Sequence, residues 1–366
     1  MNIKERYLIG YSKGISGAFM LSLRSHYIKS TYWFRKKYFL CIVGALSLAA
    51  GLLAGGCGAR VESGGEDEKF REYTLEMFCR EAASNTVNLH YTLKEPENYG
   101  ITDPPVTFGS FDIEGEALKA SSENMRQSLL DFSYDDLDTQ NKLTYDVLNY
   151  QLKNMDKSAD YLLYEEPLGL VSGVQTQLPV VLSEYQFYDR QDVDDYLALL
   201  KTTGEYFDSL IRFENQKSEA GLFMADYAAD TVIEQCQAFL DMGDGNYLYS
   251  TFADRVEKIN KLTKEEKSDY IRDNALAIQD YVFPAYEKLI SSVEGLKGSG
   301  KNEKGLAFLP QGKEYYELLV KQSTGSERSV EEMEDLTRRQ ISDDLEAMEQ
   351  VLGISYGEAE EAAASI

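Results

Sequence analysis

Histidine is almost missing from this chain. Its 366 residues include only His26 and His90, together with one tryptophan, four cysteines and seven prolines. A zinc-peptidase helix needs two imidazoles one turn apart with a glutamate between them, and no such pair exists. A Ser-His-Asp site would depend on His90, in Val87-Asn-Leu-His-Tyr-Thr-Leu93. That segment reads as the end of an amphipathic helix, where a lone histidine is expected to be structural or exposed. There is no GxSxG elbow, Walker loop or dinucleotide fingerprint. Basic charge is also short, 37 Lys and Arg against 62 Asp and Glu, for a net charge of −25. Without a basic footprint, nucleic acid is excluded as a partner. So few cysteines do not make a disulfide scaffold. Cys79 and Cys236 read as buried thiols, with a bridge between them left open. What is present is a 43% hydrophobic fraction, enough for a globular core.

The N-terminus differs from the rest. Residues 1–37 hold eight basic residues and one acid, followed by 19 uncharged residues from Tyr38 to Gly56 that end in Leu53-Ala-Gly-Gly-Cys57. A basic stretch, an apolar stretch and a small-residue end form an export signal over 1–56. Cys57 after small residues resembles the lipobox of bacterial lipoproteins, which implies lipidation at Cys57 and a lipid-anchored chain on the extracytoplasmic face of the cell membrane. Leu53 stands four residues before the cysteine, where the family pattern has it three before. An uncleaved membrane anchor is the alternative, since 19 apolar residues can span a bilayer. Removing 1–56 takes the net charge to −32. Residues 57–68 are small and polar and read as a flexible tether.

From Lys69 onward apolar residues recur every three to four positions. Val193, Tyr196, Leu197, Leu200, Phe207, Leu210 and Ile211 share one helical face, as do Met333, Leu336, Leu345, Met348 and Leu352. Thr263-x-x-Glu266 and Ser329-x-x-Glu332 are capping-box patterns. The pattern predicts helices near 69–92, 114–131, 136–156, 175–186, 192–219, 227–241, 247–260, 263–293, 312–323 and 329–352. Pro284 is expected to kink or split the long one. Residues 93–112 read as an extended crossing, and 158–174 as a loop or short strand. The fold class is therefore all-α, a multi-helix array over 69–352 with at most minor strands, closed by an acidic tail at 353–366.

Carboxylate pairs such as Asp194-Asp195, Asp135-Asp136, Glu165-Glu166 and Asp343-Asp344 read as solvated faces or helix starts. Asp241-Met-Gly-Asp-Gly-Asn246 places glycine where a calcium loop needs ligands, so it reads as a turn. Tyr185, Phe187 and Tyr188 could line a groove, with core packing as the default reading.

Five segments carry a family resemblance. They are His90–Ile101, Gln177-Leu-Pro179, Asp192–Phe213 with the following Glu219–Met224, Val282-Phe-Pro-Ala-Tyr286 and Gly305–Tyr316. In order and spacing they resemble the bacterial family catalogued as domain of unknown function 885 (DUF885), over roughly residues 68–352. The resemblance implies an exported, largely helical protein similar to gluzincin-type zinc metallopeptidases, with an elongated N-terminal half that forms one wall of a substrate channel. The family's His-Glu-x-x-x-Gly-His type motif lies downstream of the Gly305–Tyr316 segment, and no such motif occurs in this chain. No metal ligand or catalytic residue can therefore be assigned here, and zinc is expected only in a C-terminal half supplied elsewhere. Gly312, Tyr315 and Tyr316 are the candidates for contact with a peptide substrate. Gly312 permits close backbone approach, and a tyrosine hydroxyl can hold a peptide carbonyl. Inactive alone, the chain would have the membrane, a peptide substrate and a separately encoded C-terminal half as partners. A non-catalytic surface lipoprotein that binds a peptide or protein is the alternative.

Overall fold

A computed structural model describes residues 65–112, 114–302 and 304–353. Among them there is no strand. The chain divides into two compact units, one ending at residue 303 and the other starting at residue 304.

The first unit holds α1 (Gly65–Ala82), α2 (Thr86–Thr92), α3 (Gly115–Leu130), α4 (Thr139–Ala159), α5 (Val174–Glu184), α6 (Arg190–Lys201), α7 (Thr203–Glu219), α8 (Asp226–Asp241), α9 (Tyr247–Val256), α10 (Lys264–Ala277) and α11 (Phe283–Leu296). Two apolar clusters organise it. Phe70, Met77 and Phe78 of α1 pack with Leu129 of α3 and with Leu148, Leu152 and Met155 of α4. The larger cluster joins α5 to α11 through residues such as Tyr196, Phe207, Cys236, Phe252 and Tyr286. Removing this apolar area from water is the main force holding the helices together, at about 25 cal/mol per Å². The Tyr286 ring lies against Phe207 and Phe239, and its buried hydroxyl donates to the Gln175 carbonyl at 2.8 Å.

Several predicted helices divide. The 69–92 helix breaks at residues 83–85, where Asn85 caps α2 by accepting from the Asn88 amide at 2.7 Å. The 192–219 helix becomes α6 and α7 at Thr202. There the Thr202 and Thr203 hydroxyls donate to the Leu199 and Leu200 carbonyls, and Gly204 follows. Pro284 cannot supply the amide that would continue the ladder, and residues Ile278–Val282 widen into a π-helical turn between α10 and α11. Pro179 also lies inside a helix, α5, which the sequence reading passed over.

The tether reading changes at its end. Residues 57–64 lie outside the described residues, but α1 starts at Gly65. Asp67 is buried there and accepts from the Asp138 amide (2.8 Å) and the Asn141 side chain (2.6 Å). Residues 93–112 form an extended crossing with one 3-10 turn at Pro96–Tyr99. Backbone and side-chain bonds between Thr86 and Thr107, and a bond from the Phe111 amide to Ser209 Oγ at 2.9 Å, hold that crossing down. Residues 160–173 hold a 3-10 turn at Leu162–Tyr164 and no strand.

The second unit holds a 3-10 turn at Leu306–Phe308, then α12 (Gly312–Thr324) and α13 (Val330–Leu352). A Cβ at Gly312 would fall 1.8 Å from the Leu306 carbonyl oxygen, so only glycine allows this turn to close on α12. The Ser329–Glu332 capping box opens α13, as its sequence pattern predicts.

Candidate functional site

The most chemically loaded place in the first unit surrounds the one histidine among the described residues. His90 sits in the last turn of α2 with its side chain almost buried. Its ring stacks on Tyr185 with centroids 4.1 Å apart and the planes 16° from parallel, and Tyr91 meets it edge-on. Nδ1 lies 3.3 Å from Asp192 Oδ1. The other Asp192 oxygen accepts the Tyr188 and Asp189 amides at 2.7 and 3.1 Å, as part of the capping box that starts α6. Burial pushes the Asp192 carboxyl up, but the His90 contact and the two amides outweigh it and hold it below its ordinary value. Asp195, one turn on, goes the other way. Burial raises it, and the carboxylates of Asp192 and Asp194 add to the rise.

Arg255 of α9 completes this region. It donates through Nη1 to the carbonyls of Leu182 (2.9 Å) and Tyr185, closing the C-terminal end of α5 from another helix. Its guanidinium lies 4.6 Å from the Phe187 ring centre and 5.4 Å from that of Tyr196. Burial lowers the Arg255 pKa and pushes the Tyr196 phenol up to about 12.

With Nδ1 engaged by Asp192, chemistry at His90 would have to use Nε2. Nε2 is buried, and no described hydroxyl or thiol is hydrogen-bonded to it. The Asp–His half of a triad is present here without a nucleophile. What the arrangement does is clamp α2, the 185–189 turn and α6 together. Of the two options left by the sequence, structural or exposed, His90 is the buried one.

A polar groove of about 470 Å³ opens elsewhere on the first unit, between the 107–112 crossing and α7. Thr107, Asp112, Glu205, Tyr206, Asp208 and Arg212 line it. Arg212 grips Asp112 with two hydrogen bonds of 2.7 and 2.5 Å, and Asp208 pairs with Lys288 at 2.6 Å. Arg212 and the hydroxyl of Ser110 hold the Asp112 carboxyl low against its burial. The groove was not foreseen, because Asp112 and Arg212 are 100 residues apart.

The residues singled out for substrate contact lie together at the start of α12, and they face differently. Tyr315 is buried at 5% exposure, whereas Tyr316 is half exposed and Phe308 is 64% exposed. Gly312 holds the turn closed, as described above. Cys57 lies outside the described residues. Cys79 and Cys236 are free thiols rather than a bridge, and only Cys236 is buried as expected, Cys79 being partly exposed. Burial pushes the Cys236 thiol up to about 12. No group of three His, Cys, Asp or Glu side chains that could hold a metal ion converges among the described residues.

Comparison with known proteins places this architecture. No curated protein matches. A crystal structure of the "putative lipoprotein from Colwellia psychrerythraea" has the same fold, with a TM-score of 0.65 and 16% sequence identity. The similarity covers 78% of this chain and 50% of that one, so this chain spans about half the length of its structural neighbour. The family model described as "Bacterial protein of unknown function (DUF885)" matches residues 111–365, beginning after the His90–Ile101 segment and running through α13. The chain belongs to the DUF885 family of bacterial proteins.

Proposed function

We propose that this chain is an exported protein anchored to the cell membrane by a lipid at Cys57. In this reading residues 65–353 are the N-terminal, channel-forming half of a metallopeptidase-like DUF885 assembly, catalytically incomplete alone. The observation that carries it is the coverage. The fold accounts for most of this chain and for only half of its structural neighbour. That neighbour's description as a lipoprotein agrees with Cys57 as the anchor point. No helix among the described residues is long and apolar enough to cross a membrane.

The chain's own part would be binding and orientation. Exposed Tyr316 and Phe308 offer a hydroxyl and an apolar ring to a passing peptide, and Gly312 fixes the turn that carries them. The histidine-bearing metal motif, and the chemistry it supplies, belong to the complementary half. A second reading rests on the groove at Asp112 and Arg212. A non-catalytic lipoprotein would use such a polar cleft to hold a peptide or protein partner.

The test is a peptidase assay. The purified chain is measured alone and after co-expression with the polypeptide encoded downstream of codon 366 or in the adjacent frame. Zinc-dependent hydrolysis in the co-expressed sample alone is expected. If no neighbouring frame encodes the motif, or the chain alone hydrolyses peptides, the reading is overturned. Labelling with a radioactive fatty acid, compared with Cys57→Ser, tests the anchor.

A further inference from the structure

The 23 residues of α13 present an apolar stripe that the described residues of their own unit leave largely uncovered. Leu336, Ile341, Met348 and Val351 are 48, 53, 55 and 85% exposed, and Met333 and Leu345 on the same side are only partly covered. At 100° per residue these six positions fall on one half of the helix. A soluble helix with this pattern has a partner for its stripe, since contiguous exposed apolar surface marks an interaction site.

Charge narrows the partner. The helix carries eight acids (Glu331, Glu332, Glu334, Asp335, Asp343, Asp344, Glu346 and Glu349) and only Arg338 and Arg339 as bases. Most of these flank the stripe, but two fall inside it: Glu334, paired with Arg338, and Asp344, which accepts from Gln340 Nε2 at 2.8 Å. Two copies packed face to face would set acidic flanks against each other and enclose four carboxylates. An anionic membrane surface would be repelled for the same reason. The complementary occupant is an amphipathic helix with an apolar stripe, basic flanks and a donor side chain opposite Asp344. A polar group placed inside an apolar helix seam selects partner and register.

We infer that α13 is a docking helix whose apolar face, with Asp344 at its middle, seats a basic amphipathic helix of the complementary DUF885 half. This rests on the half-assembly reading above and names the surface through which that assembly forms.

The test uses the purified chain and two labelled synthetic helices matched to α13 in length, one of Leu and Lys and one of Leu and Glu in the same pattern. Anisotropy is expected to show binding of the Leu/Lys helix and none of the Leu/Glu helix. Leu336→Glu with Ile341→Glu should weaken binding by about tenfold or more. These changes add negative charge, so non-specific attraction of a cation would instead grow. Asp344→Asn should weaken it by about threefold to tenfold. Circular dichroism checks that the variants keep their helices, which is expected because every altered side chain is exposed. Unchanged or tighter binding by the double variant overturns the inference. So does a homodimer that dissociates in that variant, or capture by phosphatidylglycerol vesicles that the variant abolishes. The synthetic helices make this result independent of whether a neighbouring frame exists, so it can fail while the half-assembly reading stands, and the reverse.

Discussion

His90 Nδ1 lies 3.3 Å from Asp192 Oδ1, joining the end of α2 to the start of α6 across 102 positions of sequence. One oxygen of Asp192 holds the histidine, and the other completes the α6 capping box. His90→Ala removes a buried ring from its stack on Tyr185 and leaves Asp192 half satisfied. A loss of about 2–3 kcal/mol is expected by urea unfolding.

The same pair sets a pH dependence. The Asp192 carboxyl is held low in the folded chain, so its contribution is present above its unfolded value of about 3.9 and is lost as pH falls through the lower folded value. Asp192→Asn should be less stable than the parent at pH 7, and the gap should close below about pH 4. A gap that is constant from pH 7 to pH 3 would contradict this.

Asp195 should behave oppositely. Its carboxyl is raised, chiefly by burial, so ionising it opposes folding. Asp195→Asn, which can still accept from Gln191 Nε2, is expected to raise Tm by a degree or two at pH 7. The gain should disappear as pH falls below the unfolded value of about 3.9, where both states of the parent take up the proton.

Lys217 and Glu214 are each about 1% exposed and 4.0 Å apart, and Lys217 donates to the Glu165 carbonyl at 2.7 Å. Burial raises the Glu214 carboxyl against the opposing pull of Lys217. Lys217→Met leaves that carboxyl in the core without its cation, at a cost of about 3 kcal/mol at pH 8. The penalty should shrink at pH 5, where Glu214 can take a proton. Equilibrium unfolding at the two pH values measures both numbers.

Gly312→Ala drives a methyl group into the Leu306 carbonyl. Loosening of the 306–312 turn is expected, read as faster exchange of the amides at positions 309 and 312, with global stability down by about 1–3 kcal/mol.

The helices were readable because their apolar residues repeat at the helical period, and Thr263 and Ser329 announce their capping boxes in sequence. The breaks at residues 83–85 and at Thr202 were not. Periodicity continues across a short interruption, and the choice is made by side-chain hydrogen bonds from Asn85, Thr202 and Thr203. Histidine scarcity was legible as the lack of a metal-binding pair. The partner of His90 was not, because only tertiary packing brings Asp192 and Tyr185 to it. The α13 stripe was legible as an amphipathic pattern, but its bare face became visible only once the structure left it uncovered. The Asp112–Arg212 groove has no local sequence signature at all.

The central claim is that this chain is one half of a DUF885 assembly. Its most direct test is the mass and activity of the chain after co-expression with the polypeptide encoded downstream of codon 366 or in the adjacent frame. A stable one-to-one complex that binds zinc and hydrolyses peptides, and that dissociates on Leu336→Glu with Ile341→Glu, is the predicted result. A chain that stays alone, or that cleaves peptides by itself, would contradict the account.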